Sequence, residues 1–244
     1  MNTKPDGKRR AASDSVCAVI VAAGNGTRMG GISKPEIRLD GKTLFAWVLT
    51  AFLDSCVQEI VVVCGKNRER LEAIAAGLHP QKPIRFCTGG KERSASVYNG
   101  VQQASKGCSF LCVHDCARPF VTAELIDSVI QEAIPTGAAT ACTAVTDTVK
   151  YVDEEHRNIY TPKREHLLAI QTPQVFRRDF YEVAYALAMK SGETYTDESA
   201  LLEAAGAKVA YVKTDARNIK LTTKADILLA RAQLLIEKQE MSEN

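Results

Sequence analysis

Several familiar features are scarce or missing in this chain, and each absence narrows what it can be. No stretch approaches the roughly 20 apolar residues that a membrane-spanning helix needs. The 31 basic and 29 acidic residues leave a net charge of only +2, too balanced for a chain that wraps nucleic acid with a clustered basic face. None of the eight cysteines forms a Cys-x-x-Cys pair. Most lie in apolar runs, so they read as small buried hydrophobes in a reducing compartment rather than as metal ligands or a disulfide framework. Residues 1–15 are polar and basic without an apolar centre, which argues against a secretory signal and for a disordered tail; residues 238–244 read the same way. There is no internal repeat and no low-complexity tract. The expectation is a cytoplasmic protein with a single domain over 16–237 and no membrane or nucleic-acid partner.

Two nucleotide-binding signatures are also absent. A dinucleotide fingerprint counted from Gly24 puts Met29 where a third small residue belongs, and the second strand runs into Gly65-Lys66 with no acidic residue. Gly41-Lys42-Thr43 could end a P-loop, but Glu36 stands where its first glycine should be. No convincing catalytic pair can be built on His79, His114, His156 or His166.

What is present begins with Val21-Ala22-Ala23-Gly24-Asn25-Gly26-Thr27-Arg28-Met29-Gly30-Gly31-Ile32-Ser33-Lys34, directly after an apolar run. A buried strand ending in a glycine-rich loop leaves backbone N–H groups open to close approach by a phosphate. Arg28 and Lys34 place two cations where a polyphosphate would lie, which points to a triphosphate under attack rather than one merely bound.

The rest of the chain alternates in kind. Apolar, β-rich runs at 16–21, 60–64, 84–87, 110–113, 140–145 and 209–212 are separated in most cases by helical patterns at 43–53, 68–78, 95–104, 123–133, 178–189 and 225–237. Strands buried on both faces read as unbroken apolar runs, and strand–helix alternation predicts a mostly parallel sheet with helices on both sides. Ligands of such sheets gather at the carboxyl ends of the strands, where the glycine loop and His114-Asp115 both fall. Residues 147–162 break the rhythm: two strand-like pieces flank Asp153-Glu154-Glu155. That is a hairpin arm, either a solvated surface feature or one packed on a second subunit, since an isolated two-stranded arm is marginal in water.

Five further patches stand out: Gly89-Gly90-Lys91-Glu92-Arg93-Ser94-Ala95-Ser96; Val113-His114-Asp115-Cys116-Ala117-Arg118-Pro119; Arg164, eight residues before Thr172-Pro173-Gln174; Thr196-Asp197-Glu198; and Asn218-Ile219-Lys220-Leu221-Thr222. Together with the glycine loop, in this order over roughly 16–235, they closely resemble the 2-C-methyl-D-erythritol 4-phosphate cytidylyltransferases. The resemblance implies a three-layer α/β/α fold of the nucleotide-diphospho-sugar transferase kind, with a mostly parallel twisted sheet and an inserted β-arm through which the chain forms a homodimer. It implies CTP and a polyol phosphate as ligands, and Mg2+ or another divalent cation as cofactor. By the same resemblance Arg28 and Lys34 steady the transition state, and Lys220 is a further phosphate ligand at the reacting centre. Asp115 holds the metal. Ala22, Ala23, Gly24, Gly26, Gly90 and Ser96 surround the nucleotide. Arg164 grips substrate phosphate across the dimer, and Arg118, Thr196 and Thr172 contact the polyol phosphate. The chain departs from the family in reading Lys34-Pro35-Glu36 where Pro-Lys-Gln is usual, which sets the lysine one place early.

Taken singly, these residues have plainer readings. Asp115 could cap a turn, Arg118 and Arg164 could be solvated surface charge, and Lys220 could guard a sheet edge. Thr196 could be a helix N-cap, and Arg93 could pair with Glu92 or another neighbour. The chemistry itself suits the set. A phosphate nucleophile is largely deprotonated near neutral pH and needs no general base, so catalysis rests on cations placed against spreading negative charge. A ribitol 5-phosphate cytidylyltransferase shares this fold and chemistry and is the nearest alternative. A non-catalytic nucleotide-binding regulator is the alternative of another class.

Overall fold

A computed structural model describes residues 14–24 and 33–242. In chain order its strands are β1 (Val16–Ala22), β2 (Arg38–Leu39), β3 (Lys42–Thr43), β4 (Glu59–Cys64), β5 (Ile84–Thr88), β6 (Phe110–Asp115), β7 (Ala138–Ala144), β8 (Tyr151–Val152), β9 (Asn158–Tyr160), β10 (Leu168–Arg177) and β11 (Ala210–Lys213). The helices are α1 (Leu44–Asp54), α2 (Arg68–Gly77), α3 (Arg93–Gln103), α4 (Ala123–Thr136), α5 (Arg178–Ser191), α6 (Glu198–Ala204) and α7 (Lys224–Ser242). A seven-stranded sheet runs in the order β11-β7-β10-β6-β1-β4-β5. Every neighbouring pair is parallel except those made by β10, which lies antiparallel to both β6 and β7. The mostly parallel α/β sheet expected from the alternation is therefore what forms.

Period-two alternation sorts the strand side chains into two cores. Val16, Ala18 and Ile20 of β1, with Ile60 and Val62 of β4, pack on one face against Phe45, Leu49 and Phe52 of α1 and Ile126, Val129 and Ile130 of α4. Cys17, Val19, Val61 and Val63 point the other way, onto Val97 and Val101 of α3, Tyr181 of α5 and Leu201 and Leu202 of α6. Each such aliphatic or aromatic side chain taken out of water contributes roughly 1.5–3 kcal/mol. All eight cysteines are unbridged, and six of them are buried.

Three elements differ from the expectation. The first is β10, which the sequence reading did not anticipate. Pro173 has no N–H to give a ladder, and a proline in an apolar run argues against a central strand. The sheet absorbs it in an irregularity: the pairing of β10 with β7 shifts register between Ile170 and Gln174. The second is α7, which continues through 238 to Ser242 where a tail was expected; one of its faces buries Ala230 and Leu234 on Leu39, Leu44 and Leu221. The third is α6, whose N-cap is Asp197 rather than Thr196: the Asp197 side chain accepts from the Ala200 N–H at 2.9 Å. The arm forms as expected. β8 and β9 pair antiparallel, with Tyr151 opposite and stacked on Tyr160 at 5.1 Å between ring centroids. No helix among the described residues is long and apolar enough to cross a membrane.

At the amino-terminal edge of the sheet, Glu59 ties three segments together. Its carboxylate accepts from Arg85 Nη1, from the Ser105 N–H and from the Ser105 hydroxyl, each at 2.6 Å, and from Cys108 Sγ at 3.1 Å. Burial works against its charge, but these donors outweigh it and lower the pKa from 4.5 to about 2. The stabilisation is therefore complete above pH 4.5 and is lost as the pH falls toward 2. Glu59→Ala, which leaves the Ser105 N–H without its acceptor, should cost about 2 kcal/mol at neutral pH. In urea unfolding curves the gap between mutant and wild type should close on acidification; a constant gap from neutral pH down to about pH 3 would contradict this account.

Candidate active site

The carboxyl ends of β1 and β6 and the loop after β5 open onto a cleft of about 500 Å³, lined by Ala23, Gly24, Lys34, Gly90, Ser96 and others. Its floor is built by close approach. A Cβ on Gly89 would lie 2.5 Å from the Ala23 Cβ, and one on Gly90 would lie 2.5 Å from the Ala95 Cβ, so glycine alone lets this loop lie against β1 and the start of α3. The Gly90 N–H donates to Ser96 Oγ at 3.0 Å, and the Ser96 hydroxyl donates to the Glu92 carbonyl at 2.9 Å. Lys34 opens a short 3-10 turn, and its Nζ donates to the Leu221 carbonyl at 3.3 Å. That contact brings the end of the glycine loop against the segment carrying Lys220. A second cleft, of about 390 Å³, adjoins the first and is lined by Arg118, Gln171, Thr172, Thr196 and Asp197 among others.

Arg93, Asp115 and Lys220 line both clefts and form the wall between them. Asp115 is the last residue of β6 and only 7% exposed. Its Oδ1 accepts from Arg93 Nε at 3.0 Å and its Oδ2 from Lys220 Nζ at 2.6 Å. Burial alone would raise its pKa; the guanidinium and the ammonium overcome that and hold it well below the usual carboxylate range. Arg93 is also buried against its charge, but Glu198 and Asp115 together more than compensate and keep it a cation. Its terminal nitrogens form a bidentate fork with Glu198, at 2.8 and 3.0 Å.

Behind this wall, hydrogen bonds fix the strand end. The Asp115 N–H donates to Thr172 Oγ1 at 3.1 Å, and that hydroxyl lies 3.0 Å from His114 Nδ1. His114 Nε2 faces the Arg118 carbonyl at 3.1 Å. The partners assign the tautomer: Nε2 carries the proton and donates to the carbonyl, so Nδ1 accepts from Thr172. Burial pushes the imidazole down to about 4, so it is neutral at ordinary pH and serves as a structural spacer. Arg118 Nη1 donates to the Asn218 carbonyl at 2.9 Å, and the Asn218 amide donates to Thr172 O and Gln171 Oε1, both at 2.8 Å. The segment bearing Lys220 is thereby keyed to β10.

Most of the residues singled out in the sequence converge here. Ala23, Gly24, Lys34, Gly90, Ser96, Asp115 and Lys220 line the first cleft; Arg118, Thr172 and Thr196 line the second. Ala22 does not line it; its side chain belongs to the core on one face of the sheet. Arg28 and Gly26 lie outside the described residues. Arg164 lines neither cleft of its own chain: it sits at the base of the arm, where Nη1 donates to the Thr146 carbonyl at 2.7 Å. Arg93 pairs with Asp115 and Glu198 rather than with Glu92. The sequence reading gave no site role to Arg93, Glu198, Gln174 or Asn218. All four stand inside quoted motifs, but only the tertiary contacts show what they hold.

The donor set bears on the metal. Among the described residues no group of three or more His, Cys, Asp or Glu side chains could hold an ion. Asp115 offers one carboxylate at the edge of both clefts. That fits Mg2+, which commonly takes one or two carboxylates and fills its other positions with phosphate oxygens and water; it does not fit an all-protein cage.

The family model described as 2-C-methyl-D-erythritol 4-phosphate cytidylyltransferase matches residues 16–237. A protein of that name from Caldanaerobacter subterraneus subsp. tengcongensis is 39% identical over 220 residues, covering 88% of this chain and 97% of the relative. One from Alkaliphilus oremlandii is 36% identical over 225 residues, covering 91% and 95%. Among solved structures, 4-diphosphocytidyl-2C-methyl-D-erythritol synthase from Anaerococcus prevotii superposes with a TM-score of 0.84 at 29% identity, covering 91% of this chain and 97% of that one. The 2-C-methyl-D-erythritol 4-phosphate cytidylyltransferase of Thermus thermophilus does so at 0.73 and 32%, covering 90% and 98%.

The Thr172 hydroxyl is the joint between β6 and β10. Thr172→Val keeps the shape but leaves the Asp115 N–H and His114 Nδ1 without partners, and should lower stability by about 2 kcal/mol. Chemical denaturation measures this directly; an unchanged midpoint would mean that the hydroxyl does not join the two strands.

Proposed function

The chain belongs to the 2-C-methyl-D-erythritol 4-phosphate cytidylyltransferase family, and we infer from that premise that its two adjoining clefts receive the two substrates of the family's reaction. The chain is a nucleotidyltransferase enzyme: CTP and 2-C-methyl-D-erythritol 4-phosphate give 4-diphosphocytidyl-2-C-methyl-D-erythritol and pyrophosphate. In our reading CTP enters the first cleft, with its base and ribose against Gly90 and Ser96 and its phosphates along Ala23, Gly24 and Lys34. The polyol phosphate enters the second, beside Arg118, Thr172 and Thr196. The observation that carries this reading is the shared wall: Asp115 and Lys220 face both clefts, where the two phosphates must meet.

A phosphate oxygen of the polyol phosphate bonds to the α-phosphorus of CTP. The bond from that phosphorus to the bridging oxygen breaks, and pyrophosphate leaves. No proton has to be removed from the nucleophile first, which suits a site whose one buried histidine is neutral and bonded on both nitrogens. The obstacle is repulsion between two anions, and cations in fixed positions lower it. Lys34 and Lys220 act as point charges, and Arg28, from the glycine loop, adds a planar fork. Asp115 is the residue that would hold Mg2+, or another divalent cation in its place. Such an ion, when bound, supplies further positive charge against the triphosphate.

The arm is the proposed contact with a second copy of the chain. Tyr151, Val152, Ile159 and Tyr160 are all exposed, with Tyr151 at 56%, and a two-stranded ribbon with apolar side chains in water needs a partner surface. Arg164, at the base of that arm and outside the lining of its own clefts, would then serve the polyol phosphate of the partner. Eight unbridged thiols suit a reducing, cytoplasmic setting.

Lys220→Ala should lower kcat about 100-fold or more with a smaller change in the KM for CTP; a raised KM with kcat unchanged would assign Lys220 to ground-state binding. Arg28→Ala should behave in the same way. Arg164→Ala should raise the KM for the polyol phosphate and leave that for CTP unchanged; no change in either would remove it from the site. A panel pairing CTP, UTP and ATP with methylerythritol and ribitol phosphates should give rapid pyrophosphate release only with CTP and the methylerythritol phosphate. Preference for the ribitol substrate would overturn the assignment.

A further inference from the structure

We propose that Glu198 is a positioning residue for nucleotidyl transfer, holding Arg93 so that Asp115 stays bonded to Lys220. Glu198 is 3% exposed and lines neither substrate cleft, so it acts through another group. The charges alternate along the wall: Lys220, Asp115, Arg93, Glu198. An arginine fork left to itself takes a carboxylate through two parallel N–H bonds. Here both terminal nitrogens of Arg93 are engaged by Glu198, at 2.8 and 3.0 Å, and only Nε reaches Asp115, at 3.0 Å. One Asp115 oxygen is thereby left to Lys220, at 2.6 Å. Without Glu198, Arg93 can turn both of its edges onto Asp115 and displace the lysine.

Glu198 itself is fixed by β10. Gln174, paired with Val113 on β6, accepts from the Glu198 and Ser199 N–H groups, both at 3.1 Å, through Oε1. Its Nε2 donates to the Gln171 carbonyl at 3.2 Å and to Asp197 Oδ2 at 3.0 Å. This one amide locks the first turn of α6 against β10, the neighbour of the strand that carries Asp115. A buried ion pair is often no more stabilising than apolar side chains of similar volume, so stability alone does not account for a charged pair in this wall.

The inference rests on the reading that Asp115 and Lys220 flank the reacting phosphates. That reading is tested separately by Lys220→Ala, which must impair turnover whatever Glu198 does. Glu198→Gln keeps the side-chain volume and one acceptor while removing the charge. Per folded molecule, we expect kcat to fall about tenfold or more while the KM for CTP falls or stays level, because the wall gains one positive charge. In an Arg93→Gln background the same change should alter kcat by less than about twofold, since the effect runs through Arg93. A purely structural role would lower the melting temperature and leave kcat and KM per folded molecule at wild-type values, and that result overturns the proposal. So does an equal loss of kcat in both backgrounds. If Glu198→Gln does not fold, Glu198→Asp keeps the charge but falls short of the fork by one methylene. It should lower kcat with the KM for CTP unchanged, and wild-type kcat in that variant overturns the proposal equally.

Discussion

Repulsion between two phosphate groups is the constraint that organises this molecule. The chain answers it with a carboxylate at a strand end, buried between a lysine and an arginine. Such an arrangement stands only if each charge has a partner, because an unpaired buried ion costs several kcal/mol. Lys220, Asp115, Arg93 and Glu198 meet that condition by alternating in sign. The wall they form is close to neutral as a whole yet presents cations to both clefts, and in the function proposed above those cations would meet the phosphates without the wall being driven apart by its own charge.

The sheet topology makes this wall possible. Parallel strands bring the carboxyl ends of β1, β4 and β6 to one edge, where the glycine loop and Asp115 meet. The single antiparallel strand, β10, then runs back between β6 and β7. It delivers Thr172 to the Asp115 N–H and Gln174 to the start of α6. Lys220 arrives from the far side of β11 and is steadied through Asn218, whose amide reaches Thr172 and Gln171 on the same strand. One strand thus sets the positions of groups drawn from three distant parts of the sequence.

The opposite edge of the sheet uses a related device for stability alone. Glu59 gathers Arg85, Ser105 and Cys108 around a buried carboxylate, but it opens onto no substrate cleft. Glu59 and Asp115 are both buried, well-bonded acids, and what separates them is that Asp115 alone adjoins the two clefts.

The sequence by itself determined the alternation of strands and helices, the arm and the glycine-rich segment, while the family resemblance singled out Asp115, Lys34, Lys220, Gly90 and Ser96, which the fold brings to the lining of one cleft. Periodicity, glycine and charge are local properties, and local properties can be read along a chain. Only the tertiary structure decided that β10 enters the sheet despite Pro173, because a shift in register on a neighbouring strand is what accommodates it. Only the tertiary structure paired Arg93 with Asp115 and Glu198, partners 22 and 105 positions away, and kept Arg164 out of its own chain's clefts. Ion pairs depend on distance through space, and a charged residue in sequence carries no mark of which opposite charge the fold will bring to it.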